Sequence, residues 1–318
     1  MHVFRRFLQI GLAAAWCWSF CAEQRLIFMC TVDGQPDLYT MNLQGESWVR
    51  LTHTAQMEKY PKMDSSGNVI FTAKVDGRDE LFLKKPGDEA LRLTISPQDT
   101  EVMEPFFHPD GKSVFYNRIS SNLRDAQAKA VIGEIWICDL EGKVHKQVIQ
   151  HPGLHFNPVC RQGELLVVAN DFQTYFDHPL ALFSIDLKTL ERKRLTGGFE
   201  AHGSWVDRDR FLAIHYNGGE QDLATNVYLI PRDGQRSDWK ALGDPNWGED
   251  VRLPNIDHSG SLVVLTARLP EHKPETAEPD QPYQGFQVWV VQLKDGSRRA
   301  LTRPDYAAEG AWIIPVKK

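Results

Sequence analysis

The sequence contains a repeated turn motif, first seen as Pro61-Lys62-Met63-Asp64-Ser65-Ser66-Gly67. It recurs as Pro105-Phe106-Phe107-His108-Pro109-Asp110-Gly111 and as Pro254-Asn255-Ile256-Asp257-His258-Ser259-Gly260, with weaker copies at residues 158–163 and 203–209. Each copy precedes two strand-like runs, as in Val69-Ile70-Phe71-Thr72 followed by Leu81-Phe82-Leu83, and most units end on Leu-Thr, as at Leu93-Thr94. Four short strands and one recurring turn in a period of about 45 residues predict an all-β chain folded as a β-propeller.

The order of the strands predicts six blades and a closed ring. After a leader, the chain opens at Leu26-Ile27-Phe28-Met29, which corresponds to the second strand of a blade. It ends at residues 309–314, which correspond to a first strand, so pairing of the N- and C-terminal strands completes the first blade and removes an open sheet edge. The predicted propeller covers residues 23–318, with blades at 25–52 plus 309–314, 58–94, 102–149, 155–196, 200–242 and 249–302.

Residues 1–22 have the pattern of a secretory signal peptide. Arg5 and Arg6 precede an apolar run from Phe7 to Phe20, which is too short to span a bilayer comfortably. Cleavage is expected near Cys21 or Ala22, and an uncleaved anchor or a lipoprotein remain alternatives. The sequence therefore predicts a periplasmic or secreted protein.

Charge and motifs exclude several functions. Lys and Arg number 36 against 42 Asp and Glu, a net charge of -6, which makes nucleic acid a poor partner. The sequence has no Gly-x-Ser-x-Gly elbow, P-loop or dinucleotide fingerprint. Cys30, Cys138 and Cys160 are widely spaced, so buried thiols are expected and a disulfide framework is not.

The first strand of each propeller blade lines the central channel, so the residue before each Pro position is expected at the channel mouth. With Gly310 aligned to the Pro position of the last unit, these residues are Tyr60, Glu104, Asn157, His202, Leu253 and Glu309. We interpret Tyr60, Glu104, Asn157, His202 and Glu309 as binding residues. Two carboxylates and an imidazole suit a divalent cation, so Glu104, His202 and Glu309 are candidate metal ligands. A solvated channel mouth without an ion is the alternative.

The connections between the second and third strands are long in blades three to six. They lie at the face where the first strands begin, which we call the loop face; the opposite one is the turn face. Insertions gathered on one face of a repeat protein favour a binding surface, and Phe172, Tyr175 and Phe176 are candidate apolar anchors there. The alternative is that the insertions are neutral. His108 and Asp110 are interpreted as turn residues.

The repeats resemble those of the TolB C-terminal propeller and its WD-type relatives. Pro105 to Gly111, Asp33-Gly34 with Asp37-Leu38-Tyr39, and Leu51-Thr52 match that family's pattern, and the resemblance covers about residues 25–314. It implies a monomeric protein-interaction scaffold of the cell envelope that binds an envelope protein or peptide segment, with Ca²⁺ in the channel. Here the leader runs straight into the first blade, without the α/β domain that precedes the TolB propeller, so a role in the Tol–Pal system is not predicted.

The alternative function is a metal-dependent propeller enzyme resembling oligogalacturonate lyases or lactonases and acting on a carbohydrate. Such lyases hold manganese with several channel-lining histidines. In this sequence only His202, together with His155, occupies a suitable position. Catalysis is therefore the less favoured interpretation.

Overall fold

The computed structural model describes residues 24–32, 34–54, 56–120, 133–149, 154–170, 180–216, 225–242, 250–257, 259–272 and 284–315. The predicted signal peptide lies outside these residues. The described chain is almost entirely strand, with three-residue 3-10 turns at Arg236–Asp238, Pro270–His272 and Pro304–Tyr306. Within the same residues, no helix has the length and apolar character needed to cross a membrane.

Six antiparallel sheets of four strands form the blades. Blade one consists of β24 (Glu309–Ile313), β1 (Arg25–Val32), β2 (Gln35–Asn42) and β3 (Val49–Arg50). Blade two consists of β4 (Glu58–Met63), β5 (Val69–Val75), β6 (Arg78–Lys84) and β7 (Leu91–Arg92). Blade three consists of β8 (Thr100–Phe107), β9 (Ser113–Ser120), β10 (Gly133–Asp139) and β11 (His145–Gln147).

The remaining blades repeat this order. Blade four consists of β12 (His155–Arg161), β13 (Glu164–Ala169), β14 (Ala181–Asp186) and β15 (Arg192–Arg194). Blade five consists of β16 (Glu200–Trp205), β17 (Arg210–Tyr216), β18 (Thr225–Pro231) and β19 (Lys240–Leu242). Blade six consists of β20 (Asp250–Ile256), β21 (Leu262–Arg268), β22 (Gln287–Gln292) and β23 (Arg298–Ala300). The predicted all-β, six-bladed propeller is confirmed.

The ring closes as predicted. β24 pairs antiparallel with β1, placing Ile313 opposite Leu26 and Trp312 opposite Ile27. Ile313 is buried in the same apolar cluster as Leu26. The Ile313 N–H also donates to Asn255 Oδ1 of blade six at 3.2 Å, so the last strand is held from both sides.

A hydrogen bond explains the Leu-Thr that closes the repeats. The Leu93 N–H donates to the Leu81 carbonyl at 2.8 Å, and the Thr94 hydroxyl accepts the Leu81 N–H at 3.0 Å. The side chain thus continues the ladder where the short outer strand ends. The same hydroxyl-to-backbone contact recurs in three other blades, at Thr52, Thr196 and Thr302.

The turn residues and cysteines behave as predicted. Asp110 Oδ1 accepts the Lys112 N–H at 2.7 Å, and His108 Nδ1 accepts the Asp110 N–H at 3.1 Å. Both side chains therefore hold the tight connection between the first and second strands of blade three. Cys30, Cys138 and Cys160 are free and buried.

Each first strand carries a β-bulge at the Pro position and the residue before it. In β4, Lys59 pairs with Thr72 and Lys62 with Ile70, so Tyr60 and Pro61 oppose a single residue. The residue before the Pro position has a left-handed φ in every blade: Tyr60 53°, Glu104 50°, Asn157 55°, His202 48°, Leu253 49° and Gly310 72°. The bulge therefore places equivalent residues of all six blades at one level of the channel.

The register corrects the predicted alignment of the last repeat by one residue. Gly310 has the left-handed φ of 72°, and Glu309 lies before the bulge, opposite Met29. A Cβ on residue 310 would lie 3.0 Å from Pro61 Cδ, so the fold favours glycine there. Glu309 is thus not the counterpart of Glu104. The predicted alignment was one residue off because this repeat has Ala311 where most others have proline.

Candidate functional site

The bulged residues surround one cavity on the channel axis. Tyr60, Glu104, Asn157, His202 and Leu253 all line it. The cavity has a volume of about 20 Å³, which is room for a single water-sized occupant. Five of the six predicted ring residues are therefore brought together, while Glu309 is not among the lining residues.

Three of these residues form a chain of hydrogen bonds across neighbouring blades. Glu104 Oε2 accepts the Asn157 backbone N–H at 2.6 Å and the Asn117 Nδ2 donor at 3.0 Å. The Asn157 side-chain amide donates to His202 Nδ1 at 2.8 Å. In this arrangement the neutral imidazole carries its proton on Nε2.

Burial, followed by the charges of Arg252 and Lys62, lowers the pKa of His202 to about 3. The imidazole is therefore neutral at physiological pH. Since Nδ1 is already used as an acceptor, the chemistry left to His202 is hydrogen-bond donation from Nε2.

A second channel-lining position lies two residues further along each first strand, and the sequence analysis missed it. Lys62 and Trp312 occupy this position in blades two and one, and both line the cavity. Lys62 Nζ lies 4.5 Å from the Trp312 ring centroid, and the Trp312 ring packs edge-on to Phe106 at a centroid distance of 5.4 Å. The alternation of side chains along a strand was the signal for them, because residues i and i+2 face the same side.

Lys62 and Glu104 modify each other's titration. Burial raises the pKa of Glu104 to about 7, while the hydrogen bond from Asn157 and the charge of Lys62 act in the opposite direction. Burial lowers the pKa of Lys62 to about 8, against the attraction of Glu104. The mouth thus holds a half-buried carboxyl and a buried amine whose charges partly compensate.

Arg252 and Glu309 form an ion pair at the rim, with Arg252 Nη1 3.0 Å from Glu309 Oε1. The Arg252 side chain is 35% exposed and the Glu309 side chain 8%. The guanidinium also lies 4.6 Å from the Phe286 ring centroid. Glu309 therefore holds Arg252 at the mouth, and sequence reasoning had not identified Arg252.

The three predicted metal ligands are not gathered into a ligand set. Glu104 accepts two N–H groups, His202 Nδ1 accepts an amide, and Glu309 is paired with Arg252. In the described part of the chain, no three His, Cys, Asp or Glu side chains lie together as they would around a metal ion.

The predicted anchors Phe172, Tyr175 and Phe176 lie outside the described residues, so their role stays a prediction. The described part of the loop face offers two other apolar side chains. Ile95 is 86% exposed and Phe199 is 52% exposed. Both belong to connections that lead into the first strand of the next blade, so the loop face carries apolar contact area beyond the predicted anchors.

No family model matches the chain, and the search of curated proteins finds no match. Solved structures do share its fold. TolB from Acinetobacter baumannii is similar with a TM-score of 0.69 and 14% identity, over 92% of this chain and 67% of that chain. A chain of a nidogen/laminin complex is similar with a TM-score of 0.59 and 11% identity, over 93% of this chain and 100% of that one.

An oligogalacturonate lyase in complex with manganese is also similar, with a TM-score of 0.52 and 13% identity over 86% of this chain and 73% of that chain. At such identities the likeness shows the fold alone. The resemblance to TolB-type propellers, predicted from the repeats, is confirmed at this level: the chain has the six-bladed propeller fold that TolB has.

Proposed function

We propose that this protein is an exported protein-interaction scaffold of the cell envelope that binds an extended segment of a partner protein across the channel mouth. One observation carries the proposal. Polar side chains from several blades are held in fixed positions around a cavity of only about 20 Å³. An occupant larger than water must therefore lie across the rim, which suits a polypeptide segment.

The chemistry of the rim fits a peptide backbone. An extended segment presents alternating N–H donors and C=O acceptors. His202 Nε2 and the Arg252 guanidinium supply donors, and the Glu104 carboxyl supplies an acceptor. Because hydrogen bonds hold Glu104 and His202 in place before binding, little side-chain entropy is lost on binding.

The surroundings add apolar contact to this polar centre. Exposed Ile95 and Phe199 lie on the same face, and the predicted anchors Phe172, Tyr175 and Phe176 belong to a connection of that face. A similar propeller chain occurs in a nidogen/laminin complex. The predicted leader supports export, which makes an envelope protein the expected partner.

The test is capture of partner proteins from an envelope extract of the source cells by immobilised protein. The double variant Arg252→Gln/Glu309→Gln removes the rim ion pair without leaving either charge unpaired. The matched control, Lys193→Gln/Asp233→Asn, removes an exposed pair with a 2.6 Å separation far from the channel. We expect a protein retained by the wild type and the control to be retained roughly tenfold less by the rim variant.

Melting temperatures are compared first, so that a folding defect in the rim variant is recognised. Tyr60→Ala is the second rim variant, since it changes no charge and removes a side chain that lines the same cavity. Equal retention of every captured protein by the wild type and by folded forms of both rim variants would contradict binding at the mouth.

A further inference from the structure

A second cavity lies on the turn face, at the opposite end of the propeller from the channel mouth. It is bounded by the first turns of blades four and five and has a volume of about 320 Å³. That volume falls in the range of small-molecule sites. Three arginines line it, Arg161, Arg208 and Arg232, together with the acidic residues Glu164 and Asp207.

Two of the charges on this cavity's wall are neutralised by a cross-blade pair. Arg232 of blade five donates through both terminal nitrogens to the carboxylate of Glu164 in blade four, with Nη1 at 2.7 Å from Oε2. Such a two-point contact fixes both side chains. Asp207 also forms an ion pair, since its Oδ2 lies 2.6 Å from Arg210 Nη2.

The other two arginines, Arg161 and Arg208, differ in having no carboxylate partner among the described residues. Arg161 donates through Nη1 to the Val206 carbonyl, which positions the guanidinium without neutralising it. Arg208 is exposed. Among the described residues neither side chain pairs with a carboxylate. A chain of net charge -6 therefore places two guanidinium groups, neither paired with a carboxylate in the described part of the chain, beside one cavity.

The wall also contains a buried donor. Trp205 is 6% exposed, and its Nε1 finds no acceptor among the described residues. The Nε1 atom is closed off from solvent, so the part of the indole available to an occupant of the cavity is its apolar ring.

We propose that this cavity binds the oxyanion group, carboxylate or phosphate, of a small organic molecule, with Arg161 and Arg208 as its charged contacts. The planar guanidinium presents donors whose spacing matches the oxygens of either group. The Glu164–Arg232 pair forms a fixed wall beside them. This site is separate from the channel mouth and does not depend on the function proposed for the mouth.

The test is calorimetric titration of the purified protein with phenyl phosphate and with succinate, with phenol as the neutral probe. Phenyl phosphate and succinate separate the two oxyanion types, and phenol measures attraction to the apolar part alone. Arg161→Gln and Arg208→Gln are compared with Arg303→Gln, which removes the same charge from an exposed arginine paired with Asp305 elsewhere. Arg208→Gln changes an exposed side chain, so it tests the site even if Arg161→Gln folds poorly.

We expect one-to-one saturable binding of at least one anionic probe, weakened about tenfold or more by each cavity variant and unchanged by Arg303→Gln. Raising the salt concentration should weaken it further. Absence of saturable binding of both anions up to about 10 mM would overturn the proposal. An equal loss in Arg303→Gln would also overturn it, since the attraction would then be general.

Discussion

Replacing Glu104 by glutamine should change the stability of the protein in a strongly pH-dependent way. A pKa of about 7 instead of 4.5 means that Glu104 binds its proton more tightly in the folded protein than in the unfolded chain. Stability is therefore lost as the pH rises from 4.5 to about 7, and the full effect is about 3 kcal/mol.

Glutamine is neutral throughout this range and keeps a carbonyl oxygen that accepts the N–H groups of Asn157 and Asn117. At pH 4.5 and below, Glu104→Gln should match the wild type closely, since it replaces a protonated carboxyl. At pH 8 it should be the more stable protein by about 1–3 kcal/mol. The lower end of that range allows for Lys62, which loses its negative neighbour in the variant.

The measurement is urea denaturation of both proteins from pH 4.5 to pH 8. Comparison with the variant is essential because burial also raises the pKa of Glu58 to about 7, and both proteins share that titration. Glu89→Gln, which changes an exposed carboxyl, is the control and should show the same difference from wild type at both ends. A stability difference between Glu104→Gln and wild type that is constant across the range would refute the raised pKa of Glu104.

The other predictions concern the ring. Gly310→Ala should lower the unfolding free energy by about 1–3 kcal/mol, since alanine tolerates φ 72° poorly and its Cβ would contact Pro61. The control Gly197→Ala should have little effect, because no atom lies near the added methyl group. Deleting residues 309–318 removes β24 and should lower the melting temperature sharply; unchanged melting would contradict ring closure. Thr94→Val should lower the unfolding free energy measured by urea denaturation by about 1–3 kcal/mol, because the Leu81 N–H and the Glu80 carboxylate both lose a hydrogen-bond partner. A decrease of less than about 0.5 kcal/mol would refute the role of the Thr94 hydroxyl in ending the strand ladder.

The fold was predictable because its signals are local and repeated. The turn at Pro105 to Gly111 and the closing Leu93-Thr94 each correspond to a hydrogen bond found in several blades. Ring closure followed from counting strands. The alignment failed only in the last repeat, which has Ala311 in place of the proline. The bulged residue that corresponds to Glu104 is therefore Gly310, one residue after the predicted Glu309.

The site was less predictable because it depends on partners from different blades. Repeat alignment found Glu104, Asn157 and His202, which the structure links by hydrogen bonds. It gave no indication that the charge of Lys62 acts on Glu104 or that Arg252 pairs with Glu309, since each interaction joins residues more than forty positions apart. Those two cations partly compensate the charges of the two carboxylates.

Binding of a partner segment across the channel mouth can be tested in the source cells by photo-crosslinking, with a benzoyl-phenylalanine placed at residue 60. Tyr60 is itself aromatic and lines the cavity at the channel mouth. The same group at residue 112, exposed in a turn-face connection, is the control. Binding across the mouth predicts a discrete crosslinked partner from residue 60 and none from residue 112. Identical products from both positions, or none from residue 60, would contradict binding across the mouth.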